Sequence, residues 1–253
     1  GRSSNDRLSL TITNTANYMF TLREKHSFNF LLGQEGVDAQ SEGFSISMRG
    51  QNNDLLTNIS NGTLAASWSD TAAGTLYSYS YLSFFGRGEY NYDGRYYVDF
   101  SLRTDASSRF ADGNRWGYFP SFSAAWRISE EGFMENTKDW LNNLKIRGSW
   151  GLLGNQDALT DYYPWMNTYN LDASYPLGGA LQSGYYQKAY KLSSISWEKS
   201  RTWGLGFDAT VNNKINVTFD YYDRRTTGII MDVPVPAEFG LDAYKDNVGE
   251  MSN

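Results

Sequence analysis

The stretch 96-YYVDFSLR-103 alternates apolar and polar side chains with a period of two residues. One set of alternate positions holds Tyr96, Val98, Phe100 and Leu102, and the other holds Tyr97, Asp99, Ser101 and Arg103. Successive side chains of a β-strand point to opposite faces of a sheet. The stretch therefore predicts a strand with one apolar face and one polar face.

A second alternating stretch lies just before the first one. Its two sets of alternate positions are Leu82, Phe84, Gly86, Gly88 and Tyr90, and Ser83, Phe85, Arg87 and Glu89. The dipeptide Asp93-Gly94 follows, and these residue types readily adopt the positive φ angles of a tight type I′ turn. The two stretches together predict a long antiparallel hairpin.

The same pattern recurs along most of the chain. Alternating segments cover residues 117–129, 144–152, 202–211 and 215–222, and two others begin near Leu8 and Phe28. With the hairpin they make about eight antiparallel strands, which places the chain in the all-β class. Pro120 interrupts one segment, and because proline cannot donate a sheet hydrogen bond we expect a bulge or a rim position there.

Short and long connections alternate between these strands. The short ones lie at Arg23–Lys25, Asp93–Gly94 and Asn212–Lys214, and the long polar ones at Val37–Thr75 and Asn155–Lys199. Short turns at one end and long loops at the other are typical of an antiparallel up-and-down transmembrane β-barrel. The short turns would then lie on the periplasmic side.

The connection Glu130–Asn143 falls at the short-turn end but is longer than a turn. Its apolar face at helical spacing would consist of Phe133, Met134, Thr137, Trp140 and Leu141. This spacing predicts one short periplasmic helix, which we expect to plug the rim of the barrel.

Charged side chains occupy the polar face of the predicted strands. They are Arg87, Glu89, Asp99, Arg103, Lys145, Arg147 and Asp208. A water-filled lumen accommodates such residues, and Tyr90, Tyr92, Tyr96 and Trp126 near the strand ends are typical of the aromatic girdle of a membrane barrel. A soluble sandwich has the same period, so it stays an alternative in which the apolar face of 96–103 packs against a second sheet.

Composition excludes several other classes of protein. The formal net charge of −6 argues against a nucleic-acid partner, and there is no cysteine and only one histidine, His26, for metal or triad chemistry.

No run approaches the ~18 apolar residues of a transmembrane helix. Residues 204–209 match the dinucleotide pattern GxGxxA but lie within an alternating strand. We expect neither an enzyme nor a cofactor.

The loop before Trp116 carries Asp105, Asp112 and Asn114. Their spacing lacks the glycine and the closing glutamate of an EF-hand calcium loop. We therefore expect a hydrogen-bonded loop with no metal, in which Arg109 pairs with one of the aspartates.

The sequence 103-RTDASSRFADGNRWGYFPSFSAAWRIS-129 closely resembles a recurrent barrel stretch of SusC/RagA-type TonB-dependent transporters. The similar motifs are RxDxSSRF, RWGxFPS and AWxIS, and the likeness continues in 144-LKIRGSWGLLGN-155. Further similar stretches are HSFNFLLGQE at 26–35, WEKSRTWGLGFD at 197–208, DYYDRRTTGII at 220–230 and NVGEMSN at 247–253. The resemblance thus covers most of the chain.

The resemblance implies an importer of glycans, peptides or similar large nutrients across the outer membrane of Bacteroidota, with a SusD-like surface lipoprotein as partner. In that family an N-terminal plug fills the barrel and a TonB-binding segment precedes it, and neither is identifiable in residues 1–253. We expect these residues to form part of the barrel wall, with TonB bound by an N-terminal part of the protein. Such transporters have about 22 strands, so about eight would make an open, curved sheet.

The segment Asn155–Lys199 is unusually rich in aromatic residues. They include Tyr162, Tyr163, Trp165, Tyr169, Tyr175, Tyr185, Tyr186 and Tyr190. Aromatic faces suit both sugar rings and apolar protein surfaces. Two interpretations stay open: these rings pack on the loop itself or on the partner lipoprotein, or they contact cargo. For cargo contact the candidate residues are Trp165, Tyr162, Tyr163 and Tyr185.

Two other functions remain compatible with the residues alone. One is a surface glycan-binding or structural β-protein that does not transport. The other is a soluble hydrolase or carbohydrate-binding module built on a β-sandwich. The membrane barrel differs from the sandwich in leaving its apolar face uncovered by protein.

Overall fold

The structure, a computed structural model, describes residues 2–47, 53, 55, 58–62, 72–157, 159, 162–166, 169–187, 192–236, 238 and 243–253. Eleven strands lie in this part of the chain. They are β1 Arg2–Leu22, β2 His26–Ile46, β3 Ala72–Tyr92, β4 Tyr96–Ser107, β5 Trp116–Arg127, β6 Leu141–Asn155, β7 Tyr169–Leu177, β8 Ala180–Gln187, β9 Glu198–Val211, β10 Ile215–Pro234 and β11 Ala243–Ser252.

Nine of these strands form one antiparallel sheet in the order β1-β2-β3-β4-β5-β6-β9-β10-β11. Neighbours in the sheet are therefore neighbours along the chain, except that the separate hairpin β7-β8 is inserted between β6 and β9. The described residues make an open sheet with β1 and β11 at its edges, as expected for part of a barrel wall. The eight predicted strands are all present, and alternation does not identify β7, β8 or β11.

The short connections adopt the tight turns that the sequence predicts. Asp93 and Gly94 both have positive φ angles, 54° and 67°, as a type I′ turn requires. The N–H of Arg95 closes this turn on the carbonyl of Tyr92 at 2.9 Å. The turn from β9 to β10 is built in the same way, with φ angles of 51° at Asn212 and 53° at Asn213.

The two faces of the sheet differ as the alternation predicts. We call the face with Tyr96, Val98, Phe100 and Leu102 the apolar face, and the opposite one the polar face. On the apolar face Val98, Phe100 and Leu102 remain 38%, 51% and 41% exposed. A soluble sandwich would bury these side chains against a second sheet, so the exposure favours a wall that faces lipid.

Aromatic pairs cross the apolar face from strand to strand. The rings of Phe20 and Phe28 stack with centroids 4.9 Å apart, and those of Phe207 and Phe219 are 5.7 Å apart. Directly opposed side chains of this kind stabilise neighbouring strands and fix their register. The register stays regular over the whole β1-β2 and β2-β3 ladders, each 21 residues long.

The structure corrects two expectations about the strands and their connections. The segment Val37–Thr75 is not all loop, because β2 runs to Ile46 and β3 begins at Ala72. A membrane span needs about 9–11 residues per strand, so 21-residue strands continue well beyond it. Of the two alternatives for Pro120, a bulge or a rim position, the bulge is wrong, since β4 and β5 keep their register through the pair Leu102–Pro120. Instead, the β5-β6 ladder ends beside it, at Ser121.

The predicted periplasmic helix is shorter than its sequence pattern. The structure has 3₁₀ helices at Ile128–Glu130 and Gly132–Thr137, while Leu141 already begins β6 and is buried. A 3₁₀ helix has three residues per turn, so the α-helical face that the spacing suggested does not form. Within the described residues, none of the helices has the length and apolar character needed to cross a membrane.

Candidate functional site

Three arginine-centred clusters lie along the polar face of the sheet. In the first, Arg87 on β3 donates from Nε to Asp99 Oδ2 on β4 at 2.5 Å and also pairs with Glu89 Oε1 at 2.7 Å. Asn29 on β2 donates to the other oxygen of Glu89 at 2.7 Å. Period-two alternation puts these side chains on one face, and the register of β2, β3 and β4 brings them within contact.

The second cluster forms around Arg103 on β4. Its guanidinium contacts Asp105 at 2.8 Å, Ser83 Oγ at 2.9 Å and Glu35 at 3.3 Å. The same group lies 5.4 Å from the ring centroid of Phe85. Arg103 thus links three strands on the polar face, with its charge balanced by two carboxylates.

The third cluster spans β6, β9 and β10. Arg147 pairs with Asp208 at 3.1 Å and with Asp220 at 2.6 Å. Nearby, two cations contact the Tyr97 ring, with Lys145 Nζ at 4.8 Å and the Arg127 guanidinium at 6.0 Å from its centroid. Cations on this part of the face are therefore bound in two ways, by carboxylates and by an aromatic ring.

A cavity of about 850 Å³ opens on this part of the polar face. Its lining includes Asn29, Glu89, Asp99, Lys145, Arg147 and Tyr222. The lining offers hydrogen-bond donors and acceptors, and most of its charged side chains form ion pairs. Such a surface suits passage of water and polar solutes, and it lies opposite the apolar face in the same wall.

A small buried core lies beyond the β4-β5 and β6-β9 ends, opposite the short turns. It consists of Phe110, Phe119, Leu159, Ile195 and Trp197. The indole N–H of Trp197 donates to the carbonyl of Arg115 at 3.0 Å, which joins the β6-β9 segment to the β4-β5 loop. This core therefore joins the β4-β5 loop to the described parts of the β6-β9 segment.

The aspartates of the β4-β5 region are engaged by arginines. Asp105 binds Arg103, and Asp112 pairs with Arg115 at 3.0 Å. Arg109 pairs with Asp157, at 4.0 Å, and not with an aspartate of its own loop as expected. Within the described ranges, no group of three or more His, Cys, Asp or Glu side chains could hold a metal ion.

The structure separates the predicted aromatic residues into two places. The Tyr162 ring stacks on Tyr77 of β3, with centroids 4.5 Å apart and planes 6° from parallel. The Tyr163 hydroxyl donates to the carbonyl of Ser78, and its ring meets Trp165 edge to face at 6.2 Å. These three residues therefore pack on the upper part of β3.

Tyr185 belongs to the separate hairpin. It lies on β8, where it meets Tyr169 of β7 edge to face at 5.7 Å, and it is 73% exposed. Trp165 differs, because its indole Nε1 is buried and makes no hydrogen bond in the described part of the chain. Tyr190 lies outside the described residues.

Two tyrosines that the sequence pattern left out belong to the same group. Tyr77 stacks on Tyr162, and Tyr79 lies 6.1 Å from it between centroids. The Arg109 guanidinium lies 5.5 Å from the Tyr162 centroid. We call Tyr77, Tyr79, Tyr162, Tyr163 and Trp165 the aromatic patch. The sequence signal that would have extended the predicted strand toward residue 77 is the alternation of Tyr77, Tyr79 and Tyr81.

The chain is similar in sequence to known receptors. A family model described as "TonB dependent receptor-like, beta-barrel" matches residues 1–253. The chain is 36% identical over 176 residues to the TonB-dependent receptor SusC of Bacteroides thetaiotaomicron, a match that covers 68% of the chain and 17% of that protein. It is 30% identical over 250 residues to TonB-dependent receptor P26 of Formosa agariphila, covering 95% and 24%.

Solved structures give the same result. The RagAB peptide transporter matches with a TM-score of 0.86 and 31% identity, over 99% of the chain and 27% of the matched chain. A ferric enterobactin receptor of Pseudomonas aeruginosa matches with a TM-score of 0.58 at 15% identity, over 98% and 32%, which concerns the fold alone. The chain spans about a quarter or less of the length of the curated relatives it matches.

These matches agree with the exposed apolar face and the ionic polar face of the sheet. The family consists of receptors and transporters of the Gram-negative outer membrane, and the named relatives come from Bacteroidota. The chain belongs to the TonB-dependent receptor-like β-barrel family and forms barrel wall of the SusC/RagA type.

Proposed function

We propose that the protein containing this barrel wall imports large nutrients, either glycan oligosaccharides or peptides, across the outer membrane in a TonB-dependent step. The observation that carries this proposal is the division of one sheet into two faces. One face leaves Phe100 and its neighbours exposed to lipid, and the other holds the clusters of Arg87, Arg103 and Arg147. A polar lumen inside a lipid-facing wall is what a solute path requires.

The proposed partners follow from the family. A SusD-like surface lipoprotein would cover the outer mouth formed by the long loops. TonB would bind an N-terminal part of the intact transporter. The named relatives are TonB-dependent receptors, and one similar solved structure is a peptide transporter. Both findings support TonB-dependent nutrient uptake.

We assign cargo contact to the candidate residues at the outer mouth, Tyr162, Tyr163, Trp165 and Tyr185. Tyr185 supports this by its exposure, because an aromatic ring left in solvent offers a face to a sugar ring or an apolar side chain. Trp165 belongs to the same assignment through its edge-to-face contact with Tyr163, with ring centroids 6.2 Å apart.

Uptake by whole cells tests the proposed function. Cells with and without the intact gene would be given fluorescently labelled oligosaccharides and labelled peptides, each with and without functional TonB. We expect accumulation of one cargo class only when both the transporter and TonB are present. Equal accumulation in cells that lack the gene would overturn the proposal.

The assignment of cargo contacts has its own test. Tyr185→Ala and Trp165→Ala in the intact transporter should raise the cargo concentration needed for half-maximal uptake. Tyr118→Ala is the matched control, because Tyr118 is an exposed aromatic residue on the apolar face, away from the lumen. Equal effects of all three variants would contradict the assignment while leaving transport itself unchallenged.

A further inference from the structure

The connection between β5 and β6 folds over the apolar face of the wall and not into the lumen. The Glu131 carboxylate accepts a hydrogen bond from the Tyr96 hydroxyl at 2.6 Å and another from Trp126 Nε1 at 3.1 Å. Tyr96 and Trp126 are opposite each other in the β4-β5 ladder and share the face of Phe100. At Glu131 the connection thus contacts the lipid-facing side, and not the lumen side that a plug of the rim would occupy.

Tyr96 and Trp126 mark the lower edge of the lipid-facing surface. They lie at the first residue of β4 and near the last of β5, and their rings stack at 6.2 Å and 11°. Aromatic residues with one polar atom collect at the membrane–water boundary. Here both polar atoms point to the same carboxylate, which places Glu131 at the boundary.

Phe133 extends this surface beyond the sheet. Its ring meets Trp126 edge to face at 6.5 Å, and it is 68% exposed. It belongs to the 3₁₀ helix Gly132–Thr137, whose other exposed side chains are the polar Glu135 and Asn136. A large apolar ring left uncovered next to the lipid-facing aromatic row needs an apolar environment.

Charged groups surround the same place. Arg95 pairs with Glu131 at 3.4 Å and with Asp93 at 2.9 Å. Lys138 follows the 3₁₀ helix and is exposed. An apolar ring next to cations that reach the water layer matches the boundary between phospholipid acyl chains and their phosphate groups.

We propose that the segment Glu131–Lys138 is an interfacial anchor, in which Phe133 inserts into the phospholipid of the periplasmic leaflet. Glu131 is the positioning residue, because its bonds to Tyr96 and Trp126 fix where the segment leaves the wall. The occupant follows from continuity: the Phe133 ring contacts Trp126, which belongs to the lipid-facing face. The anchor would set the depth of this part of the barrel independently of any cargo.

Spin-label depth measurements test the anchor in the intact transporter, reconstituted in phosphatidylethanolamine–phosphatidylglycerol nanodiscs. This chain has no cysteine, so single labels can be placed at Phe133→Cys and, as a matched control on the same 3₁₀ helix, at Glu135→Cys, after replacing any other cysteines of the transporter. We expect the label at 133 to be relaxed several-fold more by oxygen than by a water-soluble nickel complex. The label at 135 should show the reverse.

A label at 133 as accessible to the nickel complex as the label at 135 would overturn the proposal. A label at 133 shielded from both oxygen and nickel would also overturn it, since that would indicate a protein occupant in place of lipid. Glu131→Ala tests the positioning role in the labelled protein. It should shift the label at 133 toward water, whereas a label at Phe122→Cys, higher on the same face, should keep its depth.

Discussion

The ring of Phe119 on β5 lies directly over the α-carbon of Gly154 on β6, in the space that a side chain there would occupy. Phe119 is itself buried against Trp197, with ring centroids 5.4 Å apart. Because Gly154 has no side chain, the buried core that contains Phe119 and Trp197 can pack against β6. Packing of this kind leaves no slack for an added methyl group.

We predict that Gly154→Ala destabilises the intact barrel by about 1–3 kcal/mol, because the new methyl group must displace a buried ring. Gly36→Ala is the control, since a Cβ at this β2 position meets none of the described atoms within 4 Å. It should change the stability by about 0.5 kcal/mol or less. Denaturant unfolding in lipid measures both, and equal effects would contradict this account of Phe119.

The assignment of the two faces gives a second prediction. Phe100→Arg should destabilise the intact barrel by about 2–4 kcal/mol, because it places a charge on the lipid side near the middle of the wall. Asp99→Asn, the neighbouring change on the polar face, should cost much less, since an amide oxygen still accepts from Arg87. Refolding equilibria in lipid vesicles measure the difference, and similar losses would mean that the faces are wrongly assigned.

The third prediction concerns the charge balance of the polar face. Arg147→Met leaves Asp208 and Asp220 facing each other without their shared cation. Because all three side chains are a third or more exposed, we expect a loss of only about 1 kcal/mol. Since high salt screens the remaining carboxylates, the loss should shrink as salt is added.

Arg225→Met is the comparison for that variant. Arg225 pairs with Glu250 alone among the ion pairs of the described residues, and both side chains are about half exposed. Its removal should therefore cost less than that of Arg147 in the same unfolding measurement. A larger loss of stability for Arg225→Met than for Arg147→Met would show that an arginine shared by two carboxylates contributes no more than a single ion pair.

The fourth prediction is a pH dependence at the periplasmic turn. Hydrogen bonds from Tyr96 and Trp126 lower the pKa of Glu131 below its usual 4.5. A carboxyl with a lowered folded-state pKa stabilises the fold fully above its unfolded value, and this contribution is lost as the pH falls through the lowered pKa. The stability difference between wild type and Glu131→Gln should thus be constant near neutral pH and shrink below about pH 4.5.

Unfolding of the two proteins across that range checks this prediction. Glu135→Gln is the control, because Glu135 is exposed on the neighbouring 3₁₀ helix. This variant removes a carboxylate from the same turn and leaves the acceptor of the two rings in place. A pH-independent difference for Glu131→Gln would show that the ionised carboxylate is not what the two rings bind.

Much of the wall could be predicted because strand alternation is local. Residues 96–103 and 82–90 already contain the information on which side chain faces which way, and Asp93-Gly94 contains the turn between them. The turn at Arg23–Glu24 has the same positive φ angles, 49° and 60°, from residue types that do not favour them. Its position followed only from the two strands on either side.

The candidate site was less predictable, because its contacts join distant segments. Tyr162 was identified as an aromatic residue of a long loop, but its partners Tyr77 and Tyr79 are more than eighty residues earlier. Tyr185 lies in the same predicted loop as Tyr162, but the structure places it in a separate hairpin. Loop aromatic residues have no periodic pattern that tells which ring meets which.

Antiparallel strands with one apolar and one polar face follow from local sequence alone, because a period of two sets the direction of every side chain along a strand. Three contacts could be found only in the folded chain: Glu131 with Tyr96 and Trp126, Phe119 over Gly154, and Arg147 between Asp208 and Asp220. These contacts depend on strand register and loop path, which bring together residues that no local pattern connects.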